Sequence, residues 1–262
     1  MLSVIPPSKF KEEHTQKLIH RMIEKKGFFR KKPLEDIIRK TMLWMPYYRI
    51  QFNYSHSEKD PIQKHGETAL NAMFCGCVKN EKELFILFKP NYLKYKKISY
   101  LPQPEEIVGS TTPTNFDKTF RDLLKRRNEA KDEANEFRSE LNKIRTRIRR
   151  QSIILPIGKD LTDKEKKLSE KVAKLDAVRN LIGICLNIND DAKSIEVSAH
   201  NVFYYPTLVI ALKHKENGAE RYLIANLVES GLIRKNLNYD KGLTELCNKN
   251  NACRKLIASA II

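Results

Sequence analysis

Four side chains in the first third of the chain have the chemistry of metal ligands. Cys75 and Cys77 stand two apart, so on a strand both thiols leave the same face. His56 and His65 lie upstream, and two thiolates with two imidazoles make a tetrahedral zinc set. The spacing is not one that specifies zinc, and cysteine is commonly a small buried hydrophobe, so neither a metal nor a cofactor is expected. Cys247 and Cys253, six apart on a stretch with helical periodicity, do not share a face. Catalytic signatures are missing as well. There is no glycine-rich phosphate loop, no Gly-x-Ser-x-Gly elbow and no His-Glu-x-x-His pair. His14 and His20 do not converge on one helix face. The chain is therefore not expected to be an enzyme.

The residues with the clearest chemistry are basic. Lys143, Arg145, Arg147, Arg149 and Arg150 crowd together, and no acid occurs from Leu141 to Lys159. Upstream, Asp122, Glu129, Asp132, Glu133, Glu136 and Glu140 dilute the bases, so charge is segregated toward one end. Helix-dipole complementarity accounts for a cation or two at a C-terminus, not for five. Arginine adds a bidentate fork suited to phosphate. A second segment, Lys89 to Lys97, sets Tyr92 and Tyr95 among Lys94, Lys96 and Lys97; a third, Lys25–Lys32, holds Phe28 and Phe29. Rings among bases suit unpaired nucleic acid, with stacking on bases and lysines along phosphates. The alternative for these two segments is core rings with solvated lysines.

Two helices must position the basic cluster. Phe116, Phe120, Leu123, Ala130, Ala134, Phe137, Leu141, Ile144 and Ile148 recur at steps of four and three, broken at Arg127. Leu161, Leu168, Val172, Leu175 and Ile182 continue the heptad, with Glu165 and Arg179 off the pattern. Pro156 and Gly158 break the helix between them, which predicts an antiparallel coiled-coil hairpin. Thr114 and Thr162 stand three before Asp117 and Glu165, as in a capping box. A helix from Phe116 to Arg150 carries its end about 50 Å along the axis. The loop Ile153, Ile154, Leu155 and Ile157 is apolar where a solvated turn is usually polar, and so reads as a partner-binding site.

The flanking segments read as α+β. Ser8 to Lys26 has one apolar helical face. Tyr48, Ile50, Phe52 and Tyr54 alternate as a strand, and Thr68–Val78 and Glu83–Phe88 read as further strands. Pro90 to Pro113 reads as a connector. Beyond the helices, Ile195, Val197 and Ala199, then Leu208, Ile210 and Leu212, alternate; Glu216–Gly218 is a turn and Arg221–Val228 returns. Tyr239 to Ile262 reads as one or two short helices. Trp44-Met45-Pro46-Tyr47-Tyr48 aligns with Tyr204-Tyr205-Pro206-Thr207-Leu208, and Asn71-Ala72 with Asn226-Leu227. The expected fold is thus α+β: two weakly repeated helix-plus-antiparallel-sheet units in one body, with the hairpin inserted between them. The boundaries are 1–113, 114–184 and 185–262.

At 262 residues the chain can bury a real core, and its formal charge of +17 favours anionic partners. No apolar run is long enough to span a bilayer, no signal-like leader is evident, and five cysteines, an odd number, fit a reducing, cytoplasmic setting. The function expected is non-enzymatic binding of nucleic acid, RNA ahead of DNA or a ribonucleoprotein surface. The contact residues would be Lys143, Arg145, Arg147, Arg149, Arg150 and Lys159, with Lys94, Lys96 and Lys97. The alternative is a protein–protein adaptor or scaffold that uses the seam and the apolar loop. Its partner would be an acidic protein surface or a second copy of the chain, with Arg127, Glu165 and Arg179 setting register.

Overall fold

The computed structural model describes residues 3–4, 13, 16–17, 35–55, 64–78, 80–94, 116–151, 158–188, 194–228 and 238–261. In chain order the elements are β1 (Ser3–Val4), β2 (Glu35–Ser55), β3 (Lys64–Asn71), α1 (Glu81–Leu87), a 3-10 turn (Pro90–Lys94), α2 (Phe116–Gln151) and α3 (Lys159–Leu186). Then come β4 (Ser194–His214), β5 (Glu220–Asn226), β6 (Asn238–Tyr239), α4 (Lys241–Lys249) and α5 (Asn251–Ala260). The fold is α+β. Two compact units divide the chain: Met1–Ile50 with Thr68–Thr114 and Ala199–Ile262, and Gln51–Glu67 with Asn115–Ser198.

The first unit is built on an antiparallel sheet whose strands lie in the order β3-β2-β4-β5-β6, with the short β1 parallel to β4. Its two central strands each carry a proline, which usually argues against a central position. The register explains the tolerance. In antiparallel strands a residue's C=O and N–H leave on the same side. Pro206 faces Leu227, one step past the last β5 pair, Thr207 with Asn226. Its carbonyl accepts from Leu227 N at 3.1 Å, so the missing donor falls at the ladder's end. Pro46 does the same beyond β3, accepting from Ala72 N at 2.9 Å. Corresponding returns follow: Lys89 N donates to Ala69 O at 2.7 Å and Asp240 N to Ile224 O at 2.9 Å.

Burial runs unbroken along β2 from Leu43 to Tyr48 and along β4 from Phe203 to Leu212, so both faces of these strands are covered. Leu208, Ile210 and Leu212 form one face with Leu223 and Ala225 of β5. The outer edge of β5 is completed by a helix. Tyr222 N donates to Asn248 Oδ1 (2.9 Å), Ile224 N to Thr244 Oγ1 (2.9 Å), and Asn248 Nδ2 to Tyr222 O (2.8 Å). Thr244 and Asn248 lie one helical turn apart on α4 and substitute for a neighbouring strand. The β4–β5 turn closes at Gly218, whose φ of +66° an L side chain rarely adopts.

Several sequence expectations change. Glu83–Phe88 is not a strand: Glu81–Leu87 is helical, because the Asn80 side chain accepts from Glu83 N at 3.0 Å and starts a turn. Only Phe88 pairs, with Leu70. Thr68–Val78 stops as a strand at Asn71 and turns through Cys77. The two strands read in 195–212 are one strand of 21 residues. Thr162 does not cap α3, which begins at Lys159; its hydroxyl donates to Gly158 O inside the first turn. Nearly all of Ser8–Lys26, along with Thr114, lies outside the described residues.

Candidate nucleic-acid interface

In the second unit α2 and α3 pack together. Leu141, Ile144 and Leu168 form a buried cluster with Phe137 and Ile148 against it, and Leu123, Ala130 and Ala134 are buried along the same face. Ion pairs join the helices at Arg138 with Asp176 (2.5 and 2.6 Å), Glu140 with Lys164 (3.2 Å) and Arg145 with Glu165 (2.8 Å). From Arg138 with Asp176 to Arg145 with Glu165 the numbers rise on α2 and fall on α3, so the helices run in opposite senses. Lys171 Nζ also lies 4.9 Å from the Phe137 ring centre, a cation–π contact. Asn187, in the left-handed conformation (φ 55°), ends α3.

The three residues that break the heptads are engaged within the unit. Arg127 is completely buried. Glu165 takes Arg145, and Arg179 lies 3.9 Å from Asp176. Using them to set register with an outside partner would disrupt these arrangements.

The basic end of α2 separates into two sets. Arg145 is neutralised by Glu165. Lys143, Arg147 and Arg150, at steps of four and three, are exposed on one stripe, and Lys159 is exposed at the start of α3. Among the described residues these four have no carboxylate within ion-pair distance. Arg149 is also exposed and, with Arg150, lies in the last turn, where the helix dipole favours cations. Ile153, Ile154, Leu155 and Ile157 lie outside the described residues, as do Lys96 and Lys97. Lys94 is exposed at the end of the 3-10 turn in the first unit, and its neighbour Tyr92 is a core ring.

Tyr92 instead belongs to a network that sequence reasoning missed. It stacks on Tyr205 at 3.8 Å and tilts against Tyr47 at 5.1 Å. Its hydroxyl donates to Asn226 Oδ1 at 2.8 Å and to Asp240 Oδ2 at 3.3 Å. Asp240 also binds Lys89 Nζ at 2.9–3.0 Å and caps α4 by accepting from Leu243 N at 3.0 Å. Burial, more than any neighbour, raises the Tyr47 and Tyr92 phenols above their usual value. The Tyr47 hydroxyl lies near Asn71 and Tyr92, in no hydrogen bond of normal geometry.

The remaining candidates fare differently. Cys75 and Cys77 sit in a turn rather than on a strand, so the shared face is lost. His65 Nδ1 lies 2.6 Å from Asn53 Oδ1, beside a cleft of about 330 Å³ lined by Gln51, Phe52, Gly66, Glu67 and Ser198. His56 lies outside the described residues. Among the described residues no group of three or more His, Cys, Asp or Glu side chains is placed to hold a metal ion, and no helix is long and apolar enough to cross a membrane. No family model matches the chain, and neither does a characterised protein nor a solved structure.

Proposed function

We propose that the protein is a non-enzymatic nucleic-acid-binding protein that uses the basic end of its helix pair on RNA or a ribonucleoprotein surface. The observation that carries the reading is the exposed stripe Lys143, Arg147 and Arg150, with Lys159, which among the described residues have no neutralising carboxylate, whereas Arg138 and Arg145 on the same helix are paired. Like charges this close repel, and a polyanion relieves that repulsion. Along the helix the stripe spaces its cations about 6 and 4.5 Å apart in rise, which suits a chain of phosphates rather than one small anion. Arg149, exposed in the same last turn, adds positive potential beside the stripe. The paired helices act in this reading as an antiparallel coiled-coil hairpin. The paired prolines and corresponding returns support a duplicated α+β unit as the source of the first unit's sheet.

The test is binding of a fluorescein-labelled single-stranded RNA by anisotropy across a salt series. With four phosphate contacts the slope of log K against log salt is about −3. Changing Lys143, Arg147 and Arg150 together to Gln is expected to weaken binding at least tenfold and flatten the slope by about 2. An unchanged affinity and slope in this variant overturns the reading.

A further inference from the structure

The first unit holds four cysteines, Cys75, Cys77, Cys247 and Cys253, all with free thiols. We propose that Cys77 and Cys253 are a disulfide-forming pair, and that oxidation staples the turn after β3 to α5.

The geometry comes from one asparagine. Asn250 lies at the junction of α4 and α5. Its Nδ2 donates to Cys77 O at 3.1 Å, while its Oδ1 accepts from Cys253 N at 3.2 Å. A single planar amide therefore holds the backbones of both cysteines on its two ends. Nδ2 also reaches Glu83 Oε2 at 3.3 Å, which fixes the amide's orientation. The Cys77 turn is closed by its own N–H on Phe74 O at 2.9 Å. From these anchored backbones the two thiols influence one another: beside the larger effect of burial, Cys253 lowers the Cys77 thiol and Cys77 raises the Cys253 thiol. Conversion to a bond requires the sulfurs to approach to about 2.05 Å.

The other thiols are placed differently. Cys75 is buried and donates to Asn71 O at 3.0 Å, which turns it back toward its own strand. Cys247 and Cys253 are both fully buried, on α4 and α5. Cys77 is partly exposed, and beside it Gly76 is exposed with open space where a side chain would be. Cys77 is thus the sulfur a reagent reaches, and Cys253 the one that resolves.

With a low-molecular-weight disulfide such as oxidised glutathione, the chemistry runs in two exchanges. The Cys77 thiolate attacks one glutathione sulfur, forming a mixed disulfide and expelling a glutathione thiolate. Cys253 then attacks the Cys77 sulfur, and its proton leaves with the second glutathione, which is expelled as a thiol. Two protein thiols are oxidised by two electrons, and one glutathione disulfide is reduced to two thiols. Burial holds both thiols up, Cys253 to about 12, so the exchange is slow at neutral pH and accelerates as pH rises. This kinetic signature belongs to a structural staple rather than to a catalytic cysteine.

The experiment uses the full chain, equilibrated with oxidised glutathione at pH 8.5 and then alkylated and digested without reduction. The expected result is a Cys77 peptide linked to a Cys253 peptide, the thiol count falling by two, and a melting midpoint ~5 °C higher than the reduced protein, because the bond closes a long loop. Cys253→Ser is expected to stop at a stable glutathione adduct on Cys77. The unaltered protein needs no variant to decide the matter. A Cys75–Cys77 link, a bond between two chains, a lasting glutathione adduct on Cys77 in the unaltered protein, or no reaction each overturns the proposal.

Discussion

The two units bury charge in opposite ways. In the first, Asp240 is only 6 % exposed but receives Lys89, the Tyr92 hydroxyl and the Leu243 amide, so every strong donor near it is used. In the second, charges are paired at the margins of an apolar strip, at Arg138–Asp176 and Arg145–Glu165, and one guanidinium, Arg127, is taken fully inside. A carboxylate that caps a helix, neutralises a lysine and orders a ring is a connected network. A marginal ion pair such as Arg145 with Glu165 has fewer shared partners. The network concentrates loss at one residue, and the margin spreads it.

That contrast can be broken first at Asp240. Asp240→Ala leaves Lys89 part-buried without its anion and removes the α4 cap, and is expected to cost about 3–5 kcal/mol. Trp44, the sole tryptophan, is buried in the first unit and reports its urea midpoint by fluorescence. A midpoint within error of the parent protein would show that the network is not cooperative. In the helix pair the largest single loss is expected at Leu141→Ala, about 2–4 kcal/mol by ellipticity at 222 nm, since Leu141 is buried with Ile144 and Leu168. An unmoved helical transition would mean the cluster relaxes without cost.

Alkaline titration sharpens the same difference. The Tyr47, Tyr92, Cys75 and Cys253 pKa values are raised in the folded state, chiefly by burial. Groups that are raised contribute their stability below the unfolded-state values and lose it as pH climbs through the folded ones. The Trp44 midpoint is therefore expected to fall from about pH 9 upward, cysteines first and tyrosines from about pH 10. A flat Trp44 profile to pH 11 would contradict the burial of these groups. The α2 and α3 helices contain no tyrosine. The smallest effect is expected at Arg138→Ala. Arg138 and Asp176 are about a third exposed, so the pair is worth about 1 kcal/mol or less. A loss as large as that of Leu141→Ala would place Arg138 in a network after all.

Local pattern made some of this legible. The heptads at Phe137, Leu141, Ile144 and Leu168 located the paired helices, and Gly218 located the β4–β5 turn. Pro46 and Pro206 each stand at the end of a ladder, where a residue with no N–H to donate is tolerated. Leu84 to Phe88 was misread, since a short apolar run has no period of its own and the Asn80 cap decides it. The prolines also hid the length of β2 and β4. Tyr92 is the core ring that the alternative for Lys89–Lys97 allowed, but its partners Tyr205 and Asp240 are far away in sequence and gave no local signal. The meeting of Cys77 with Cys253 had no local signal either: it depends on the Asn250 amide bridging two distant backbones.

The covering of β5 by Thr244 and Asn248 also bears on the order of biosynthesis. On the ribosome the sheet has an open flank until α4 has emerged. The second unit is complete once Ser198 is made, roughly fifty residues before the end of α4, which at about 5–20 residues per second gives the helix pair a lead of several seconds. The sheet must therefore wait, with β4 and β5 already synthesised, for the helix that seals it. Translation speed and chaperone occupancy over residues 227–250 set how long that flank stays available to strands from other nascent chains.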